Sequence, residues 1–298
     1  ATSFADTASS PNTWTVAGAS SITNRHWRFH GEVSEWPVSW EASGNDVWTQ
    51  IEASGILRRL SQGAAPLRST MNRGLVKLSA NPPAAYWSME DATGSSQFAS
   101  GLPGGTSAGM TGSPDLANSE LFACSEALPI LGTGGLVGVV PVYTATGESQ
   151  IRWLAHVPAS GPTDGAIVVR AMTTGSVVRW DLRYNTALDG TFTLLAYNGD
   201  GTLVHTSSGT FNKDDTPFRM AIDLVQDGSD IDYAMRFMEP GAGSILGTTG
   251  TVTGHTFGRV SSVRVNPMFN LDNVTFGHLS VHPQVTSLFD LEDELNAF

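Results

Sequence analysis

In Val177-Val178-Arg179-Trp180-Asp181-Leu182-Arg183-Tyr184, the residues Val178, Trp180, Leu182 and Tyr184 alternate with Val177, Arg179, Asp181 and Arg183. Ser229–Met238 does the same, with Ile231, Tyr233, Met235 and Phe237 set against Asp232, Ala234, Arg236 and Met238. A period of two over eight or more residues sends one set of side chains to each face of a half-buried strand. Working outward, strands are expected at Gln150–Val157, Ala166–Met172, Val177–Tyr184, Thr191–Tyr197, Pro217–Val225, Asp230–Met238, Arg259–Asn266 and Val274–Val281. Asn198-Gly199-Asp200-Gly201 and Asp227-Gly228 supply the positive φ that tight hairpins need. Many hairpin-linked strands without intervening helices imply two twisted sheets packed face to face. The alternation puts Trp180 and Tyr184 in the core of that sandwich.

Composition agrees. The chain has 298 residues, enough for one large or two ordinary domains. Only 15% of residues are charged, against a usual share of about 25%, and 32 are glycine. That mixture suits a rigid β protein better than a helical enzyme. A net charge of −12 argues against a general nucleic-acid surface and against docking on anionic lipid. The single cysteine, Cys124, excludes an intrachain disulfide and a cysteine-based zinc site. No apolar run approaches the ~18 residues of a membrane span, and no signal peptide is visible. The chain starts at Ala1 without Met, so it is expected to be processed or excised from something longer.

Residues 26–42 read as strand, turn at Trp36-Pro37, and strand. Trp14, Trp27, Trp36, Trp40 and Trp48 all fall early. They suit either the core of a small domain or an aromatic surface for sugars or proteins. Ile56–Leu60 reads as a short helix. Between Ile56 and Ala80, Arg58, Arg59, Arg68, Arg73 and Lys77 occur with no acid. The segment is a solvated helix face and linker, or it docks on an acidic neighbour such as another subunit. Asn81-Pro82-Pro83 marks a domain boundary. Ala84–Asp91 then alternates Ala85, Trp87 and Met89 against Tyr86, Ser88 and Glu90, as the opening strand of a new domain. Residues 92–148 are loop-rich with scattered short strands. From Ser287, Leu288, Leu291 and Leu295 recur at helical spacing among Asp290, Glu292, Asp293 and Glu294.

Two stretches carry a resemblance. One is Gly55-Ile56-Leu57-Arg58-Arg59-Leu60-Ser61-Gln62-Gly63 with Pro66-Leu67-Arg68-Ser69. The other is Ala84-Ala85-Tyr86-Trp87-Ser88-Met89-Glu90-Asp91 with Gly101-Leu102-Pro103-Gly104-Gly105. Together they resemble minor tail proteins of bacteriophages that infect actinobacteria. In that group a laminin-G-like, concanavalin-type jelly roll is inserted between two halves of a tail-hub domain. The resemblance implies an incomplete hub module at residues 1–80, a jelly-roll sandwich at 81–285, and at 286–298 the start of a helix that continues the hub. It also implies a virion location at the tail tip, other tail proteins as partners, a homo-oligomer (a trimer), and attachment to a host cell-wall glycan. Its motifs are structural and carry no chemistry of their own.

The residues themselves offer little for catalysis. Gly105-Thr106-Ser107-Ala108-Gly109 matches a nucleophile elbow by letter but has neither the strand nor the helix that the elbow joins. In Gly132–Gly138 a valine stands where a dinucleotide fingerprint needs its third glycine. Asp230 and Asp232 have the spacing of a glycosidase carboxyl pair, yet adjoin the Asp227-Gly228 hairpin. Glu32, Glu35 and Glu41 surround Trp36 and Trp40 and suit a sugar groove without fixing its geometry. No cofactor is required by the sequence; Asp227, Asp230 and Asp232 are candidate calcium ligands. His278 and His282 fall on one face of the last strand with Phe276 and Ser280, too far apart, at about 13 Å, to share a zinc. Trp153, Tyr197 and Asp200 are the candidate glycan contacts. Three functions follow: adhesion, glycan hydrolysis on the same sandwich, or architectural packing against tail subunits.

Overall fold

A computed structural model describes residues 68–78, 81–185, 190–207, 215–238 and 246–286, and the backbone of six short strands before residue 56. The chain divides into two compact units, Ala1–Leu67 and Arg68–Phe298. In the first, β1 (Ser3–Ala5) pairs with β2 (Thr13–Thr15), β3 (Gly31–Val33) with β6 (Ala53–Gly55), and β4 (Val38–Trp40) with β5 (Val47–Thr49), all antiparallel. The helices expected at 56–60, with Arg58 and Arg59, and at 288–298 lie outside the described residues.

The second unit opens with helix α1 (Thr70–Lys77) and continues almost wholly in strands. These are β7 (Ala85–Trp87), β8 (Gln97–Phe98), β9 (Ala108–Thr111), β10 (Asp115–Ser119), β11 (Leu128–Gly132), β12 (Gly135–Val139), β13 (Glu148–Val157) and β14 (Ile167–Gly175). There follow β15 (Val177–Asn185), β16 (Thr191–Asn198), β17 (Leu203–Thr206), β18 (Thr216–Asp227), β19 (Asp230–Met238), β20 (Leu246–Val252), β21 (Phe257–Val265) and β22 (Leu271–His282). They form two antiparallel sheets. The first runs β10-β11-β22-β13-β18-β19-β20, with β7 also on β22; the second runs β17-β16-β15-β14-β21-β12-β9-β8. This is the expected mainly β class, a sandwich of two antiparallel sheets. Among the described residues no helix is long and apolar enough to cross a membrane.

Alternation explains the core. Ile231, Tyr233, Met235 and Phe237 all point inward from β19, and Trp180, Leu182 and Tyr184 from β15. Aromatic rings bridge the sheets: Phe192 of the second lies 5.8 Å from Phe218 of the first, and Phe218 lies 4.8 Å from Phe237. Ala85, Trp87 and Met89 enter the same core, while Tyr86 faces the other way, as Ala84–Asp91 predicted. Trp87 leaves no room opposite: a Cβ on Gly138 would lie 2.5 Å from its ring. Irregular pairing moves two expectations. The register shifts between Val177 and Arg179, so Val177, not Val178, is in the core. On β22 the shift opposite Arg152 and Leu154 inserts an extra residue at Gly277-His278, a bulge with His278 at φ 51. Phe276 therefore points inward, opposite to His278, Ser280 and His282, which face out.

The basic segment after residue 67 contains a helix that the sequence reading missed. Ser69 caps α1, its hydroxyl accepting from the Asn72 amide at 3.2 Å. Met71 and Leu75, four apart, are buried against Tyr86, Phe122, Cys124, Leu128 and Leu154 on the outer side of the first sheet. Arg68, Arg73 and Lys77 stay exposed. Asn81-Pro82-Pro83 is tied down too: the Asn81 side chain donates to the Gln284 carbonyl at 2.8 Å, and Asn81 is 3% exposed.

Trp153, a candidate glycan contact by sequence, is a core residue. It is 2% exposed and stacks on Phe276 at 6.0 Å with 17° between the rings. We expect Trp153→Ala to destabilise the protein by about 3–5 kcal/mol, measured as a shift in the urea unfolding midpoint. A loss below ~1 kcal/mol would contradict this packing.

Candidate functional site

The other sequence-nominated residues separate. Asp200 sits fully exposed in the β16–β17 turn, where the Thr202 hydroxyl and amide hold its carboxyl below the usual range. Asp230 accepts from the Gly254 amide at 2.8 Å, and Asp232 from the Thr251 hydroxyl at 2.6 Å. Both carboxylates serve the neighbouring strand and turn. Among the described residues no three His, Cys, Asp or Glu side chains form a group able to hold a metal ion, so Asp227, Asp230 and Asp232 do not assemble the expected calcium site. Tyr197, by contrast, lies on an exposed sheet face with a distinctive neighbourhood.

A buried polar cluster escaped the sequence reading. The Tyr86 hydroxyl and His278 Nδ1 are 2.7 Å apart, and His278 Nε2 meets the Ser125 hydroxyl at 2.8 Å and Glu90 at 3.3 Å. Glu90 also accepts from the Glu126 amide at 3.0 Å. A serine on a histidine invites comparison with a hydrolytic triad. There the acid orients the far ring nitrogen; here Tyr86 occupies that nitrogen and Glu90 sits on the serine's side. The cluster pins the loop around Ser125 and the start of α1 to β22, and it is fully buried at His278. Burial pushes the Glu90 carboxyl up, but bonds from His278, Ser69 and the Glu126 amide, with the His278 charge, outweigh it and hold the group at about 2. His282, further along β22, is lowered to about 3 by burial and then by the nearby Arg152 guanidinium.

The outer face of the first sheet is mostly closed. Beyond α1 a groove of about 330 Å³ remains, lined by Asp223, Asp232, Arg236, Thr249, Thr251 and Val285. Its central charges are already matched: Asp223 accepts from Gln150 at 2.8 Å and from Arg236.

The outer face of the second sheet differs. Strand register sets Thr206, Leu195, Asp181, Arg170, Arg264 and Val137 in one row across six strands. Leu203, Tyr197, Arg179, Met172, Ser262 and Val139 form the next. Arg183 stands beside them, between Ile167 and Thr193. Thus this face carries four arginines, two of them, Arg170 and Arg179, against the Asp181 carboxylate. Arg170 grips Asp181 through two bonds, at 2.7 and 2.8 Å, which push the guanidinium pKa up. Arg179 lies 3.5 Å from the same carboxylate and 3.7 Å above the Tyr197 ring. The Asp181 side chain is only 3% exposed. Leu203 and Val139, at 47% and 61% exposed, add apolar surface at the ends of the second row. Rigid strands thus present donors, an aromatic ring and aliphatic patches together, the mixture that polar ligands with C–H faces require.

No family model matches the sequence, and no curated protein is similar to it. Solved structures are similar in fold. A Trypanosoma rangeli sialidase matches with 13% identity and a TM-score of 0.44 over 76% of this chain and 37% of its own. The carbohydrate recognition domain of Emp46p, in a metal-free form, matches with 10% identity and a TM-score of 0.35 over 59% of this chain and 89% of its own. A legume lectin-like domain from Entamoeba histolytica gives 8% identity and a TM-score of 0.38 over 60% and 90%. The chain therefore spans less than half the length of the sialidase.

The two buried titratable groups give a pH signature. Both have folded values below their ordinary ones, so the unfolded chain binds more protons and stability rises with pH, being lost on acidification. The His282 contribution is intact above about 6.5 and is lost as pH falls towards about 3. That of Glu90 is intact above 4.5 and is lost towards about 2. Melting temperature should fall in two windows on acidification; His282→Gln should flatten the upper one and Glu90→Gln the lower. Unchanged profiles in both variants would refute the assignment.

Proposed function

We propose that the chain is a structural component of a phage tail tip whose sandwich attaches to a host-surface glycan. The observation that carries the adhesive part is the exposed row on the second sheet, where Arg179 lies on Tyr197 between the aliphatic patches of Leu203 and Val139. Sugars are held by such pairings of planar apolar surface with fixed donors. The tail-tip part rests on the resemblance carried by Gly55–Ser69 and Ala84–Asp91. It is supported by the sandwich's two ends lying together: the Ala84 amide donates to the Val281 carbonyl at 2.7 Å, and Asn81 reaches Gln284. A domain inserted into another needs its entry and exit adjacent. In this reading the partners are other tail proteins and further copies of the chain in a trimer, and the location is the virion tail tip.

A second reading is architectural. Arg68, Arg73 and Lys77 are exposed around α1, in a strongly acidic chain, and they suit an acidic neighbouring subunit. Hydrolysis has no such observation behind it, since Asp230 and Asp232 are committed to main-chain and hydroxyl donors. The full chain on a glycan array, with a reducing-end assay on cell-wall polysaccharide, decides among the three. Adhesion predicts retention on at least one glycan without turnover. Turnover would establish a hydrolase, and neither result would leave the architectural role.

A further inference from the structure

We propose that the ligand of the second sheet's outer face is an anionic saccharide polymer, bearing carboxylate or phosphate groups, held by Arg179, Arg183 and Arg264. This rests on the adhesive reading above and adds the chemical class.

Charge is the first argument. The whole chain carries −12, yet this face sets four guanidiniums against the single carboxylate of Asp181. That carboxylate is nearly buried beneath Arg170 and Arg179, so it acts as an anchor and offers little repulsion to an incoming anion. A neutral sugar gains nothing from such a concentration of like charge. Preorganisation is the second. The Arg179 guanidinium lies 3.7 Å above the Tyr197 ring with its Nε 3.5 Å from Asp181, so its position is set from two sides. Arg170 uses only Nε and one terminal nitrogen on Asp181. Arg264, on the same face, is exposed to solvent.

Spacing is the third argument. Arg179 and Arg183 lie four residues apart on β15, about 13 Å, and Arg264 stands two strands away, about 10 Å. One anionic group cannot span that patch, whereas charges repeating along a polymer can. Tyr197, Met172, Leu203 and Val139, in the row of Arg179, suit the C–H faces of sugar rings beside those charges.

The test is surface-immobilised binding of the full chain to polygalacturonate, a glycerol-phosphate polymer, neutral galactan and poly-glutamate. Retention is expected on either or both anionic saccharide polymers, which tells carboxylate from phosphate. Affinity should fall steeply with salt, and galactan and poly-glutamate should bind at least tenfold more weakly. The double variant R183Q/R264Q should lose at least tenfold in affinity with an unchanged melting temperature, and Tyr197→Ala should weaken binding as well. Equal binding of galactan would leave the adhesive reading standing and overturn the anionic class. Equal binding of poly-glutamate would point to an acidic protein and overturn the saccharide. Undiminished binding by R183Q/R264Q would move the site elsewhere, and no retention on any polysaccharide would overturn this inference and the adhesive reading together.

Discussion

The imidazole of His278 sits where four parts of the sandwich unit meet. It faces Tyr86 on the first strand, Glu90 just beyond it, Ser125 in a connecting loop, and its own place on the last strand. It can do so only because the bulge at Gly277-His278 adds a residue to β22 and turns the ring outward. The first strand, the loop and the cap of α1 are thereby fastened to β22, through Glu90 and Ser69. Jelly rolls have a long-range problem, since their first and last strands must find each other across the whole chain. Here β7 pairs with β22 in register, and a buried, hydrogen-bonded cluster secures that pairing.

That fastening also decides which face is available. With α1 and the loop seated over one sheet, Arg152, Arg219 and Asp223 are buried on its outer side, and they are matched or shielded there. The second sheet has no such covering over its arginine rows among the described residues, and Arg264, Leu203 and Val139 remain exposed. The two outer faces are built from similar strand patterns. What distinguishes them is a short amphipathic helix, Met71 and Leu75 inward and Arg73 and Lys77 outward, whose packing removes one face from use.

Much of the fold was legible because alternation records burial directly. All eight expected strands are present, and the inward residues of β15 and β19 agree but for Val177. The edge and connecting strands were less visible. β20, Leu-Gly-Thr-Thr-Gly-Thr-Val, has too few large side chains for an alternation to show. The helix carried signals that went unused, the Ser69 cap and the Met71/Leu75 spacing, because its many bases suggested a linker.

The site was only half legible. By itself the sequence determined the two-sheet class, its hairpins and which residues of each strand share a face, since these depend on a period of two and local turn chemistry. It nominated Tyr197 and Trp153 as equal candidates. Tertiary packing alone decided between them: one sheet pressed Trp153 onto Phe276 in the core, while register across three separate strands brought Arg170, Arg179 and Asp181 beside Tyr197. Cross-strand neighbours are set by pairing between distant segments, and alternation within a strand contains no record of that pairing.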